Sequence, residues 1–245
     1  MTRASEHLAI TDLGTVLGVW AHPDDECYLM AGTALLAAAA GSHVACLTAT
    51  AGEAGETADE TRWPRADLAS IRREEMTTCL SLLGIGDHTW LDLPDGRLHT
   101  VDPVQGIELV GAVVERVQPD TILTFGADGM TGHPDHIAVG EWATRAARQL
   151  LGDRCRILVA TKTPAWAVRF AEVNHVFEVE PPSTEPEQLA LHVALDDATL
   201  DRKIAALMAQ ASQTSGLAAS MGQTTYREWV AEEFWAHHAQ PESST

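Results

Sequence analysis

T-V-L-G-V-W-A-H-P-D-D-E, residues 15–26, begins as an unbroken apolar run and ends in a cluster of titratable side chains. An apolar run without alternation predicts a strand buried on both faces, as in a parallel sheet. Pro23 has no N–H for a strand ladder and turns the chain. His22, Asp24, Asp25 and Glu26 therefore stand at the carboxyl end of that strand. In open parallel sheets this is where ligands bind.

Working outward, an alanine-rich helix is expected over 31–41 and a second strand over 43–50. A Gly-, Glu- and Thr-rich loop, 50–64, leads to helical spacing from Asp67 to Leu83, with Gly84 as the stop. Strand 88–93, helix 104–117, strand 120–126, helix 133–151 and strand 156–161 follow, with Pro134 suited to a first helical position. This alternation predicts an α/β, Rossmann-like fold: a mainly parallel sheet with helices on both faces. Later strands are expected at 173–180 and 189–195, and helices at 196–212 and 224–236, where Tyr226, Val230 and Phe234 fall four apart. No linker or repeat interrupts the pattern. The expected organisation is an N-terminal extension, 1–14, a single domain, 15–238, with extra C-terminal strands and helices, and a tail, 239–245.

Sixteen Lys and Arg against thirty-five Asp and Glu give a formal charge of −19, which argues against nucleic acid or an anionic membrane as partner. The first residues, MTRASEHLAITDLG, lack the apolar core of a signal peptide, and the run 31–41 is too short to cross a bilayer. Cys27, Cys46, Cys79 and Cys155 are widely spaced and read as thiols in a reducing compartment. A cytoplasmic location is expected, and a homo-oligomer is left open.

A second cluster, His133-Pro134-Asp135-His136, follows the strand at 120–126, so both clusters face one crevice. His22 and Asp25 stand three apart where strand turns into helix; His133 and His136, also three apart, share a helix face. Two histidines and a carboxylate around an open position are the ligand set of a catalytic zinc site. Adjacent Asp24, Asp25 and Glu26 repel one another unless a cation sits among them.

AHPDDE, 21–26, followed by GHPDH, 132–136, resembles the signature of the PIG-L/LmbE family, zinc-dependent deacetylases of N-acetylglucosaminyl compounds. Arg72-Arg73-Glu74-Glu75, Leu83-Gly84-Ile85, Asp95-Gly96 and Ala211-Ser212-Gln213 resemble further family landmarks in order, so the likeness spans roughly 15–236. It implies that His22, Asp25 and His136 hold zinc, with Fe2+ as an alternative. Asp24 would be the general base toward a water activated by the metal. His133, as imidazolium, would stabilise the oxyanion, and Asp135 would fix the orientation of His133. Arg72 and Asp95 match positions that meet sugar hydroxyls, and the implied partner is a small amino-sugar-like substrate. Thr131 stands where some members carry an aromatic hydroxyl, and Gln210 where many carry histidine.

Four other readings compete. An iron oxygenase usually separates its first His and carboxylate by one residue, whereas two separate His22 from Asp25. A dinucleotide-binding enzyme needs glycines that VLGVWAHPDDE lacks. An inactive binding homologue, or a hydrolase of a non-sugar amide, keeps the same residues.

Overall fold

The computed structural model describes residues 7–57, 59–174 and 183–238. Up to residue 161 strands alternate with one or two helices: β1 (Val16–Trp20), α1 (Asp25–Leu29), α2 (Ala31–Ala39), β2 (Val44–Thr50), α3 (Leu68–Leu83), β3 (Asp87–Leu93), α4 (Pro103–Val117), β4 (Thr121–Thr124), α5 (Pro134–Leu151) and β5 (Arg156–Thr161). There follow α6 (Pro164–Arg169), α7 (Ala171–Asn174), β6 (Leu189–Ala194), α8 (Asp197–Ala209), α9 (Ala211–Met221), α10 (Gln223–Trp229) and β7 (Glu232–His237).

The seven strands form one sheet in the order β3-β2-β1-β4-β5-β7-β6. β1 to β5 are parallel, and β7 pairs antiparallel with both β5 and β6. Every residue of β1, β2 and β4 is buried, as the unbroken apolar runs require. The order 3-2-1-4-5 is that of a doubly wound, Rossmann-like sheet. From β1 the chain winds outward through β2 to β3; from β4 it winds the other way to β5. The crevice between the ends of β1 and β4 is therefore the topological switch point.

Local chemistry fixes the helix ends that matter here. α3 stops at Gly84, whose φ of 75° is the left-handed conformation glycine adopts without cost. α4 starts at Asp102, whose side chain accepts from Val104 N, and α5 starts with Pro134 in its first turn. Two family-like landmarks meet: Glu75 on α3 accepts from Ser212 N at 2.8 Å and Ser212 Oγ at 2.6 Å, closing the N-terminus of α9.

The C-terminal part departs from the helical expectation for 224–236. The helix ends at Trp229, and Glu232–His237 is a strand inserted between β5 and β6. Tertiary pairing overrides the four-residue spacing of Tyr226, Val230 and Phe234. Trp235, fully buried, packs against Trp20 and donates from Nε1 to Thr33 Oγ1 at 3.0 Å. Its neighbour Glu233 is buried too, accepting from Gly32 N, Thr33 N and Thr33 Oγ1 and pairing with Lys203 Nζ at 2.6 Å. The strand expected at 173–180 lies mostly outside the described residues, and its first two positions belong to α7. Upstream of β1, Leu13 is fully buried and Leu8 N donates to Ala190 O at 2.7 Å. No helix among the described residues is long and apolar enough to cross a membrane.

Candidate metal centre

β1 delivers the first cluster to the switch point. After Trp20 the chain turns through His22 and Pro23 into α1, and Asp24, the residue before that helix, takes φ 104°. A non-glycine residue there is strained by about 1–3 kcal/mol, and such strain concentrates at functional sites. The turn is held from three directions. His22 N donates to Asp25 Oδ2 at 2.8 Å, Asp24 N donates to Glu26 Oε2 at 3.0 Å, and Arg72 Nη2 donates to Pro23 O. β4 delivers the second cluster through the loop 125–132, in which Gly129 has φ 65° and its O lies 2.9 Å from His136 Nδ1. A Cβ at Gly129 would fall 3.1 Å from His136 Cβ, so glycine is needed for this close approach.

Three of the predicted ligands converge. His22 Nδ1 and His136 Nε2 are 3.2 Å apart, Asp25 Oδ1 is 3.3 Å from His136 Nε2, and Asp25 Oδ2 is 3.6 Å from His22 Nδ1. Ligand atoms at zinc distances in a tetrahedron stand roughly 3.3 Å apart. The donor set thus fits a divalent cation in size and in chemistry. Its electrostatics agree. Burial works against a charge on His22, but Asp135, Asp95 and Asp25 outweigh it and raise the imidazole to about 10. A site that draws a proton this strongly draws a divalent cation for the same reason. Burial lowers His136 to about 4, leaving it neutral, the form in which imidazole ligates. Phe125 stacks on its ring at 4.1 Å and 8°.

Around these three, each remaining site residue has a definite place. Asp95 Oδ1 lies 3.1 Å and Asp135 Oδ2 3.4 Å from His22 Nε2, the nitrogen turned away from the cluster. Carboxylates on the far nitrogen of a ligating histidine fix its tautomer and raise its basicity. Asp135, fully buried, also accepts from Gly96 N at 2.7 Å and Leu98 N at 2.9 Å. Asp24 is raised to about 7 by burial, with Arg72 opposing and Asp25 adding to the rise. Glu26, fully buried, accepts from Gln210 Nε2 at 2.5 Å and is pushed up to about 8 by burial and by Asp24.

Three expectations change. Asp135 reaches His133 through its backbone: the Asp135 N–H donates to His133 Nδ1 at 3.1 Å, while the carboxylate serves His22. With Nδ1 accepting, the His133 proton is carried on Nε2, and burial and the His22 charge lower its pKa. A neutral Nε2–H ring replaces the expected imidazolium. The sugar-hydroxyl role expected of Arg72 and Asp95 does not suit their burial, 4% and 6% exposed respectively. Arg72 bonds Gly52 O at 2.9 Å and Pro23 O and lies 3.5 Å from Asp24 Oδ2; Asp95 holds His22 and Ala54 N.

Beside Asp25 and His136 opens a cavity of about 200 Å³ whose walls include Tyr28, Leu29, Phe125, Met130, Trp166 and Trp229. Sequence reasoning missed it, because these aromatics come from distant segments and share no motif.

Residues 17–147 match the PIG-L family, described as GlcNAc-PI de-N-acetylase. A 1D-myo-inositol 2-acetamido-2-deoxy-alpha-D-glucopyranoside deacetylase of Kineococcus radiotolerans is 32% identical over 69% of the chain. The chain spans about half, 54%, of that relative's length. A probable N-acetyl-alpha-D-glucosaminyl L-malate deacetylase 2 of Bacillus anthracis is 29% identical over 91% of the chain and 94% of its own length. Among solved structures, the N,N'-diacetylchitobiose deacetylase of Pyrococcus horikoshii superposes with a TM-score of 0.64 at 21% identity, covering 96% of this chain and 89% of its own. The 4-carboxy-2-hydroxymuconate hydratase GalB of Pseudomonas putida has a TM-score of 0.64 at 18% identity over 95% of this chain and 99% of its own. A hydratase and a deacetylase thus share this fold, and the reaction has to be argued from the site.

Proposed function

The chain belongs to the PIG-L family, and on that premise we propose that it is a metal-dependent amidohydrolase removing an N-acyl group from an amino sugar or a related small molecule. The observation that carries this reading is the convergence of His22 Nδ1, His136 Nε2 and the Asp25 carboxylate at 3.2–3.6 Å. Zinc is the ion these ligands favour, with Fe2+ as the alternative. When bound, the metal supplies Lewis acidity toward the amide carbonyl and brings a water's pKa to about 7.

The chain's own groups do the rest. Asp24, held in its left-handed turn and faced by Arg72, takes the proton of the attacking water. His133 donates from Nε2–H to the oxygen that becomes negative as the carbonyl carbon turns tetrahedral. The proton held by Asp24 passes to the leaving nitrogen as the C–N bond breaks, releasing a carboxylate and a free amine. Asp95 and Asp135 keep His22 oriented throughout.

The names of the relatives support an N-acetylglucosaminyl compound as substrate. The test is purified, zinc-loaded protein incubated with a panel of N-acyl amino sugars, with free amine as the readout. Amine release that disappears in His136→Ala supports the reading; no amine from any member of the panel overturns it.

A further inference from the structure

The cavity beside the metal centre is lined mainly by apolar side chains, with Asp25 and His136 at the ligand edge and Thr131, Thr161, Lys162, Glu232 and Glu233 also on its walls. Asp25 and His136 line it, whereas His22, Asp24, Asp95 and Arg72 do not. The scissile amide would therefore have a mainly apolar space on one side of the ligands and the charged turn 22–26 on the other. Tyr28, Trp229 and Trp166 form a continuous aromatic wall, with ring centroids 5.7 Å and 6.0 Å apart, and Phe125, Leu29 and Met130 also line the space. A dry apolar cavity of about 150 Å³ takes a benzene ring; this one measures about 200 Å³. An acetyl group would place a single methyl in it.

The wall also has a distinct origin in the chain. His22, Asp25 and His136 lie inside the stretch that matches the family, 17–147, whereas Trp166, Leu217 and Trp229 lie beyond it. The metal ligands thus come from the matched stretch alone, whereas this space is shaped jointly by that stretch, through Tyr28, Leu29, Phe125 and Met130, and by α6, α9 and α10 beyond it.

We propose that this cavity is the acyl subsite and that the preferred substrate carries an N-acyl chain of about six carbons rather than acetyl. The proposal rests on the amidohydrolase reading above. It places the carbonyl carbon at the Asp25–His136 edge, the alkyl chain against Trp229 and Trp166, and the amine half of the substrate outside the cavity. Each methylene buried there raises kcat/KM by roughly fourfold, the equivalent of about 0.8 kcal/mol.

Two arms test it on the zinc-loaded protein. In the first, N-acetyl-, N-butyryl- and N-hexanoylglucosamine are compared by kcat/KM, with a rise of at least tenfold from acetyl to hexanoyl expected. Leu217→Trp, which fills the cavity from α9, should bring the hexanoyl-to-acetyl ratio back toward one. In the second, acetate and hexanoate are titrated against intrinsic tryptophan fluorescence, and hexanoate should bind at least tenfold tighter. If acetyl is cleaved as well as hexanoyl and the two carboxylates bind alike, the acyl subsite is overturned while the amidohydrolase reading stands. If no amine is released but hexanoate still binds preferentially, the subsite stands and the amidohydrolase reading falls.

Discussion

His22 Nδ1 and His136 Nε2 face each other across 3.2 Å, although the two residues stand 114 positions apart in the chain. With His22 raised to about 10 and His136 lowered to about 4, a proton is shared across this contact, and a metal ion held by both rings would take that proton's place. The sheet brings them together because β1 and β4 are neighbours and their continuing chains leave in opposite directions. Asp25 closes the triangle from the first turn of α1.

The Asp95 carboxylate lies on His22 Nε2, and with His22 as a proposed ligand it would act on the metal through that ring. Asp95→Asn should weaken zinc binding by roughly 10–100-fold with the fold intact. Competition against a chromophoric chelator reads this directly. Unchanged affinity would show that Asp95 does not orient His22.

His133 caps α5 through Nδ1, its ring centroid 4.9 Å from those of His22 and His136, and its proposed role is that of oxyanion donor and not of ligand. His133→Ala should keep its metal and its KM and lose about 10²–10³ in kcat, the loss for one oxyanion donor. A change confined to KM, or loss of metal, would remove His133 from the proposed role.

Much of this was legible in the sequence. β1, β2 and β4 announced themselves because each is buried throughout and so needs no polar alternation, and the two H-P-D clusters follow β1 and β4. β7 was not legible: Tyr226, Val230 and Phe234 carry a helical spacing, and only the pairing with β5 and β6 decides otherwise. Nor could the partners of His22 be read, since Asp95 follows β3 and Asp135 stands in the first turn of α5, and the two meet only at His22. The acyl cavity was hidden for the same reason, its aromatic wall being assembled from α1, α6 and α10.

Lys203 and Glu233 form a fully enclosed pair at 2.6 Å that ties α8 to β7. Lys203→Met leaves the Glu233 charge buried without its cation and should destabilise the protein by about 3–5 kcal/mol. Adding Glu233→Gln should restore part of that loss. Urea unfolding of both variants measures it; a single variant within about 0.5 kcal/mol of the parent would contradict the pairing argument.

His88, on β3, is lowered to about 4 by burial and by Arg73, against an ordinary value of 6.5. A folded-state pKa below the unfolded one means that unfolding takes up a proton between these values. The contribution is complete above about pH 6.5 and is lost as pH falls toward 4. Thermal melts of zinc-loaded protein at stepped pH should therefore show a shallower acid decline for His88→Gln, by about one proton taken up on unfolding. Parallel curves for parent and variant would contradict the assignment.

The division of labour between adjacent aspartates is the centre of the account, and metal content and turnover measured on the same preparations test it most directly. Asp24→Asn should retain about one equivalent of zinc and lose roughly 10²–10⁴ in turnover, because it removes the base and spares the ligands. Asp25→Asn should lose the metal itself. Near-native turnover in Asp24→Asn, or full metal occupancy in Asp25→Asn, would contradict it.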